Sequence, residues 1–234
     1  KPLIKILAFM EIEGVEINSK FLRSLSLKFE KKIQKLEKEV FKISKKEFNI
    51  ASPKQLGEII YNDLKIAGLK KTKKGSFATS ASVLEDLAFK GHEFPRLILD
   101  WRQVSKLKNT YSDALPEHIN PSTKRVHTSF LLAATTTGRL ASSDPNLQNI
   151  PIKSEDGRDI RKAFTAKKDH LLISADYNQI EMRILADLAD VKELKKAFRN
   201  NEDIHSLTAS QIFNIDIKKV NQDQCGGLGT LLSS

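Results

Sequence analysis

Hydrophobic and polar positions in the first part of the chain recur with the period of an α-helix. Between residues 21 and 41, apolar side chains return at steps of three and four, with lysines and glutamates between them. This spacing predicts a long helix with one apolar face, which Asn18 can cap. The stripe alone is also compatible with a coiled-coil pair. It consists of Leu22, Leu25, Phe29, Ile33, Leu36 and Val40.

Three further helices are predicted before residue 116. One begins with a capping box, in which Ser52 caps the first turn and Gln55 reaches back, and it runs to about residue 67. A basic loop over residues 70–75 follows; most such loops are only solvated, and a minority contact phosphates. The next helix covers residues 81–89. The last begins at Pro95, ends at Leu115–Pro116 and can lie antiparallel to the first.

The pattern changes after residue 114. Residues 125–134 are rich in strand formers, and residues 135–151 have the glycine and prolines of irregular turns. The apolar run Leu171–Ala175 is short enough for a buried strand. Helical spacing returns at residues 180–188 and 192–199, and a last helix is expected from Asp203 to Phe213. A helical half followed by a mixed half predicts the α+β class.

Composition adds a preference for an anionic partner. The formal net charge is +10 and the isoelectric point is about 9.5. Such a charge favours nucleic acid, although many basic proteins never bind it. Cys225 is the one cysteine in the sequence, so an internal disulfide is impossible, which fits a reducing compartment. No apolar run is long enough to predict a membrane span. The sequence starts at Lys1 without Met, and we expect an internal fragment.

One carboxylate directly follows the predicted buried strand. Asp176 at the end of a rigid element would have a fixed position and an open environment, which suits a metal ion. Mg²⁺ prefers carboxylate oxygens together with substrate phosphates. Helical spacing alone favours a simpler role for Asp176, as N-cap of the following helix.

The residues around Asp176 carry a family resemblance. Residues 176–183, Asp-Tyr-Asn-Gln-Ile-Glu-Met-Arg, closely resemble the family A DNA polymerase motif Asp-Tyr-Ser-Gln-Ile-Glu-Leu-Arg. Residues 137–151, from Thr-Gly-Arg to Gln-Asn-Ile-Pro, are similar to a second motif of the same family, in the same order and at a suitable spacing. Together they make the resemblance specific. Further similar positions are Gly157, Arg161, Ala163, Phe164, residues 203–205 and 208–209, and the upstream stretches 48–56, 70–75, 83–88 and 106–111.

The resemblance implies a right-hand polymerase fold, of which this chain would hold part. We expect an N-terminal palm segment over residues 1–19 and a helical thumb over 20–113. A partial palm with the first catalytic motif would cover residues 114–220, and residues 221–234 form an atypical tail. A palm sheet that lacks strands would leave an exposed edge and marginal stability.

The same resemblance implies roles for the first motif. Asp176 would bind two catalytic Mg²⁺ ions, with the Tyr177 carbonyl as a helper. Glu181 would be a steric gate that leaves no room for a 2′-OH on the incoming nucleotide. Gln179 would also lie in the nucleotide site. His205 would contact nucleotide phosphates, or could be a first-turn helix residue without a ligand.

The second motif is expected at the DNA. Arg139 would reach the minor groove at the primer terminus, where acceptors occur on every base pair. Gln148 and Asn149 would support the template–primer. Arg161 would help to structure the site, or could be an ordinary surface arginine. Lys153 stands where the family commonly has an arginine for the triphosphate, and a lysine keeps the charge but loses the bidentate fork.

Two parts of the family machinery are missing from the printed sequence. The family supplies a basic fingers helix and a second metal-binding Asp, and both should follow residue 220. We therefore expect a frameshift or truncated gene near Gln224 and negligible polymerisation by this chain alone.

The expected function is DNA synthesis in replication and repair, on primer–template with deoxynucleoside triphosphates. The complete enzyme would be monomeric, without membrane contact, and cytoplasmic at the bacterial nucleoid. The alternatives are a non-catalytic DNA-binding fragment and a helical interaction protein whose motifs are coincidence.

Overall fold

The chain is mostly helical, in agreement with the predicted α+β class. The computed structural model describes residues 2–66, 77–152, 154–200, 202, 204–213 and 215–216. Contacts divide the chain into two compact units, Lys1–Leu172 and Ile173–Ser234. The helices of the first unit are α1 Pro2–Glu13, α2 Ser19–Ser44, α3 Pro53–Glu58, α4 Ala81–Phe89, α5 Glu93–Leu107, α6 Ala114–Glu117 and α7 Glu155–Arg161; its strands are β1 Glu16–Ile17, β2 Ser129–Leu131, β3 Ala141–Ser143 and β4 Phe164–Thr165.

Helix α2 is the long helix that the apolar spacing predicted. The Asn18 side chain accepts a hydrogen bond from the Phe21 N–H at 3.0 Å, which confirms the predicted cap. All six residues of the predicted stripe are buried, and Leu22, Phe29 and Val40 are fully so. Burial of this one face holds α2 in the core of the first unit, since tertiary packing supplies most of the stability of a helix.

Helix α5 lies antiparallel to α2, as predicted. The Trp101 indole N–H donates to Glu37 at 3.1 Å, and the Ser26 hydroxyl donates to Asp113 at 2.5 Å. Trp101 thus lies beside the later residue of α2, and Asp113, in the segment after α5, lies beside the earlier one. The two helices therefore run in opposite directions. Helix α4 covers the predicted residues, with Leu84 buried, and packs against α5.

Two predicted helix ends are wrong in detail. The Ser52 side chain caps α3 as expected, at 3.4 Å from the Gln55 N–H, but the α-helix ends at Glu58 and continues as a π-helical turn over Ile59–Asp63. Pro116 does not end the helical stretch that follows α5. The stretch continues through a π-helical segment, Lys108–Asp113, into α6, which ends at Glu117, one residue after Pro116.

The strands of the first unit form two antiparallel pairs within the described residues. β1 pairs with β4, with Glu16 opposite Thr165, and β2 pairs with β3, with Phe130 opposite Ser142. The predicted strand formers of residues 125–134 thus supply β2. β3 is an ordered strand inside the stretch that was expected to be irregular.

Helix α1 was not predicted. Its apolar residues are distributed around the helix, so the sequence shows no one-sided apolar stripe that would predict it. Ile4, Phe9 and Ile12 are more than half exposed. At its C-terminus, the Arg125 guanidinium donates to the carbonyls of Glu13 at 2.7 Å and Gly14 at 3.0 Å. These bonds satisfy carbonyls that a helix end leaves without partners.

The predicted buried strand over Leu171–Ala175 is wrong. These residues have no regular secondary structure, and Leu171 and Ile173 are about nine-tenths exposed. A strand requires a neighbour for its backbone groups, and none of the strands described here pairs with this segment. The helices of the second unit match the predicted spacing: α8 Ile180–Leu188, α9 Lys192–Arg199 and α10 Ile204–Phe213.

Several predictions fall outside the described residues. These are the basic loop over residues 70–75, the role of Lys153, the capping role of Asp203 and the tail over residues 221–234. Among the helices that are described, none is both long and apolar enough to cross a membrane.

Candidate DNA- and nucleotide-binding sites

Arg139 lies on the surface immediately before strand β3. Gly138 has a φ of +74°, a left-handed conformation that favours glycine, so the chain turns sharply into Arg139. The Thr135 hydroxyl donates to the Arg139 carbonyl at 2.8 Å and closes this turn. The turn presents the Arg139 side chain at an exposed position on the β2–β3 hairpin.

Gln148 and Asn149 are exposed on a segment whose backbone is held from inside. Ile150 is 9% exposed and belongs to the core. The Tyr111 hydroxyl donates to the Asn149 carbonyl. Arg161 donates to the Ile150 carbonyl at 2.8 Å. The two predicted DNA-contacting side chains therefore project from a backbone that is held by hydrogen bonds at residues 149 and 150 and by the buried Ile150 side chain.

Helix α7, which carries Arg161, is anchored to α2 by two ion pairs. Lys28 Nζ lies 2.8 Å from Asp159, and Lys32 Nζ lies 2.5 Å from Asp156. Hydrogen bonds from Lys162 and Lys28 lower the pKa of Asp159 to about 2. The Ser154 side chain caps the helix by accepting from the Gly157 N–H at 3.2 Å.

The first-motif residues lie in the second unit. Asp176 and Tyr177 precede α8 in a stretch without regular secondary structure, and both side chains are exposed. Gln179, with a φ of +53°, occupies the N-cap position of α8, so the alternative role of Asp176 as the N-cap is wrong. Glu181 is exposed in the first turn of α8, where a carboxylate is favoured by the helix dipole.

Arg183 connects the motif segment to helix α9. Its Nε donates to the Asn178 carbonyl at 2.9 Å, and its guanidinium carbon lies 4.4 Å from the centre of the Phe198 ring. A hydrogen bond together with a cation–π contact restrains the turn that leads from Asp176 into α8.

The described residues do not form a complete metal-binding cluster. Nowhere in the described ranges do three His, Cys, Asp or Glu side chains come together. Asp187 and Asp190, the other acidic groups near α8, both pair with Lys195, at 3.2 and 3.0 Å. Hydrogen bonds to Asp190 and Asp187 raise the pKa of Lys195. Asp187 and Asp190 are thus engaged by a lysine, whereas Asp176 lies exposed before α8.

His205 lies in α10, and the structure describes its backbone but not its side chain. Tyr111 and Arg183 were missed by the sequence reasoning as site residues. Tyr111 lies within the helix predicted from Pro95, and the spacing of that helix could not indicate a hydroxyl partner 38 residues away in sequence. Arg183 belongs to the quoted motif, but its partner Phe198 lies on the next helix.

Comparison with known proteins identifies the family. The model of DNA polymerase family A matches residues 19–225. The chain is 51% identical over 218 residues to DNA polymerase I of Rhizobium leguminosarum, and 46% identical over 221 residues to that of Geobacillus stearothermophilus. It covers 22% and 25% of those proteins, which cover 93% and 94% of it.

A solved structure matches the fold over almost the whole chain. This is the POL domain of Pol1 from M. smegmatis in complex with DNA primer–template and dNTP, with a TM-score of 0.89 and 36% sequence identity. The match covers 99% of this chain and 41% of that one. The family match extends over most of the sequence and includes both motifs. The chain belongs to DNA polymerase family A.

Proposed function

We propose that this chain is part of a template-directed DNA polymerase that extends a primer with deoxynucleotides. The observation that carries the proposal is the match of residues 19–225 to the family, with Asp176 and Glu181 exposed at the start of α8. The similar M. smegmatis domain was solved with DNA primer–template and dNTP, which supports the same ligands here. The roles in replication and repair are part of this proposal.

The proposed reaction is a phosphoryl transfer. The primer 3′-oxygen bonds to the α-phosphorus of the nucleotide, the bond to the β-phosphate oxygen breaks, and pyrophosphate leaves with the electron pair. The proton of the 3′-OH passes to water. Two Mg²⁺ ions, when bound, would stabilise the attacking and leaving oxygens. Asp176, through its carboxylate, and Tyr177, through its carbonyl, would hold them together with the nucleotide phosphates.

The described residues fit this metal role only in part. Mg²⁺ is usually bound through one or two carboxylates, substrate phosphates and several waters. Asp176 supplies one carboxylate, and no acidic cluster surrounds it in the described ranges. We therefore propose that this chain alone polymerises DNA at a negligible rate.

Glu181 is proposed to select the sugar. Its exposed position in the first turn of α8, four residues after Tyr177, places a carboxylate beside the proposed nucleotide site. Replacing Glu181 with alanine should narrow the preference for dATP over ATP in an equilibrium binding assay. Glu193→Ala on α9 is the matched control and should leave the ratio unchanged.

Other nucleotide contacts are proposed from the family resemblance alone. They are Gln179, at the N-cap of α8, His205 and Lys153. Arg161 is proposed to act on the protein backbone instead, because its guanidinium is already bonded to the Ile150 carbonyl at 2.8 Å.

The first unit is proposed to bind the primer–template. Arg139, Gln148 and Asn149 are exposed, and the last two project from a restrained backbone. The net charge of +10 supports a polyanionic ligand. We also propose that the complete enzyme is a monomer that works in the cytoplasm at the nucleoid.

A second function is a DNA-binding fragment without catalysis. The observation that favours it is that no group of three acidic or other metal-ligating side chains comes together around the first motif in the described ranges. This function needs the first unit alone to contact DNA, so it makes no demand on metal binding.

Equilibrium binding to a fluorescent primer–template tests the shared part of both proposals. The dissociation constant should rise steeply with salt, because bound phosphates release counterions. A Gln148→Ala/Asn149→Ala variant should bind more weakly than the parent chain. If binding is absent, or is unaffected by salt, this chain does not bind primer–template as proposed, and both proposed functions are wrong for it.

A further inference from the structure

Four successive carbonyl groups, those of residues 149–152, accept hydrogen bonds from side chains of the π-helical segment after α5 and of α7. Tyr111 donates to Asn149, and Arg161 donates to Ile150 at 2.8 Å and to Pro151 at 3.3 Å. One guanidinium thus bridges two consecutive carbonyls. Such a fork fixes the orientation of two peptide planes at once, which a single-point donor cannot do.

The next carbonyl continues the row. Arg158 donates to the Ile152 carbonyl at 3.4 Å. Gly157 packs so closely on this backbone that a Cβ there would lie 2.8 Å from both the Cβ and the carbonyl oxygen of Pro151. Helix α7 therefore lies directly against the segment, and its contact leaves no room for the segment to move towards it.

The two main donors come from different parts of the fold. Tyr111 belongs to the π-helical segment after α5, and its side chain is 3% exposed. Burial raises the pKa of Tyr111, so its hydroxyl keeps the proton that it donates. Arg161 lies at the end of α7, which Lys28 and Lys32 hold against α2. Tyr111, from the segment after α5, and Arg161, from α7, thus both bond to the backbone of residues 149–151.

We propose that Tyr111 and Arg161 are positioning residues that hold the backbone of residues 149–151 so that the Gln148 and Asn149 side chains are preset for the primer–template. This inference rests on the proposed function, in which those two side chains contact DNA. Both side chains are exposed, while the next residue, Ile150, is buried. A segment anchored at Ile150 and at three carbonyls loses little freedom on binding, and ligands bind more tightly to a preorganised surface.

The test compares conservative variants that remove the hydrogen bonds alone. Tyr111→Phe deletes the hydroxyl and keeps the buried ring, and Arg161→Lys keeps the charge but replaces the planar two-nitrogen fork with a single ammonium group. Tyr61→Phe is the matched control, because the Tyr61 ring stacks on Phe77 at an exposed position. Each test variant should weaken primer–template binding about three- to tenfold, the usual effect of one lost hydrogen bond. The control should bind as the parent chain does.

A double-mutant cycle separates positioning from general structural support. In the Gln148→Ala/Asn149→Ala background, Tyr111→Phe should cause no further loss of binding, because its effect passes through those side chains. Amide hydrogen exchange of residues 146–152 should be faster in Tyr111→Phe and Arg161→Lys than in Tyr61→Phe. An equal loss in both backgrounds, or unchanged exchange and binding, would overturn the inference.

The outcomes distinguish this inference from the proposed function. If the parent chain binds DNA and the Gln148→Ala/Asn149→Ala variant binds weakly, the function stands whatever the Tyr111 variant does. A Tyr111 variant with parental affinity would then overturn the positioning role alone. A parent chain that does not bind primer–template overturns the function first, and the inference with it.

Discussion

Lys28 on α2 and Asp159 on α7 form an ion pair across 131 positions of sequence, with 2.8 Å between Nζ and Oδ2. The Asp159 side chain is 14% exposed and also accepts from Lys162 at 2.7 Å. Two ammonium groups on one shielded carboxylate account for its lowered pKa, about 2. This contact holds α7, the helix that carries Arg161, against α2.

The pair predicts an acid-sensitive contribution to stability. The pKa of Asp159 is about 2 in the folded chain, below the value of about 3.9 expected when unfolded. The stabilisation is therefore complete above about pH 4 and is lost as the pH falls towards about 2. Asp159→Asn should lower the free energy of unfolding by about 1 kcal/mol at pH 7, since the Lys28 end is half exposed and screened.

Urea unfolding at pH 7 and at lower pH measures this effect. The difference between the parent chain and Asp159→Asn should begin to shrink below about pH 4. Asp100→Asn, at an exposed position of α5, is the control and should change stability little at any pH. An Asp159 effect that is constant from pH 7 to pH 3 would argue against the ion pair as its source.

Two leucines on α2 separate burial from helix propensity. Leu22 is fully buried and Leu27 is 67% exposed, so the same change to alanine removes very different contacts. Leu22→Ala should lower the free energy of unfolding by about 2–5 kcal/mol, through lost burial and a residual cavity. Leu27→Ala should change it by less than about 0.5 kcal/mol. Chemical denaturation of both variants makes the comparison, and similar losses would contradict the assigned core.

The sequence predicted α2 well because its evidence is local. A stripe at steps of three and four needs only one apolar surface to cover it, and the six stripe residues are all buried. The strand expected over Leu171–Ala175 failed because a strand depends on partners elsewhere in the chain. Leu171 and Ile173 have the composition of a buried strand, yet both are largely exposed.

The Asn18 cap gives a further local prediction. Its side chain satisfies the Phe21 N–H, which has no partner within the helix. Asn18→Ala should therefore lower the free energy of unfolding by about 1 kcal/mol, and Asn18→Ser or Asn18→Asp should restore most of the loss. Thermal unfolding followed by circular dichroism reports the difference. Equal stability of the alanine and serine variants would mean that the cap contributes nothing.

Arg139 yields a prediction about base-pair identity. Minor-groove acceptors occur on all four base pairs, so a contact there cannot choose a sequence. Arg139→Ala should weaken binding by a similar factor, about tenfold or less, for primers that end in each of the four matched pairs. Arg199→Ala, which removes one exposed positive charge at the end of α9, serves as the charge control. A loss confined to one terminal pair would contradict the proposed role.

The candidate site residues could be predicted from the sequence motifs, whereas the contacts that hold them in place could not. Asp176, Glu181 and Arg139 stand in recognisable segments, and all three are exposed as a ligand site requires. The Tyr111 hydroxyl donates to the backbone carbonyl of Asn149. Every residue has a backbone carbonyl, so the identity of residue 149 does not indicate this contact. Such a contact emerges only once helix packing has brought the two segments together.

Primer extension with Mg²⁺ and all four deoxynucleotides tests the central claim most directly, with the parent chain, Asp176→Ala and Asp100→Ala compared after each has been shown to bind primer–template. The account predicts binding without measurable extension by all three, because the described residues supply only part of a metal site. Extension by the parent chain and Asp100→Ala that Asp176→Ala abolishes would contradict this claim. It would show that this chain completes the metal site from its own residues.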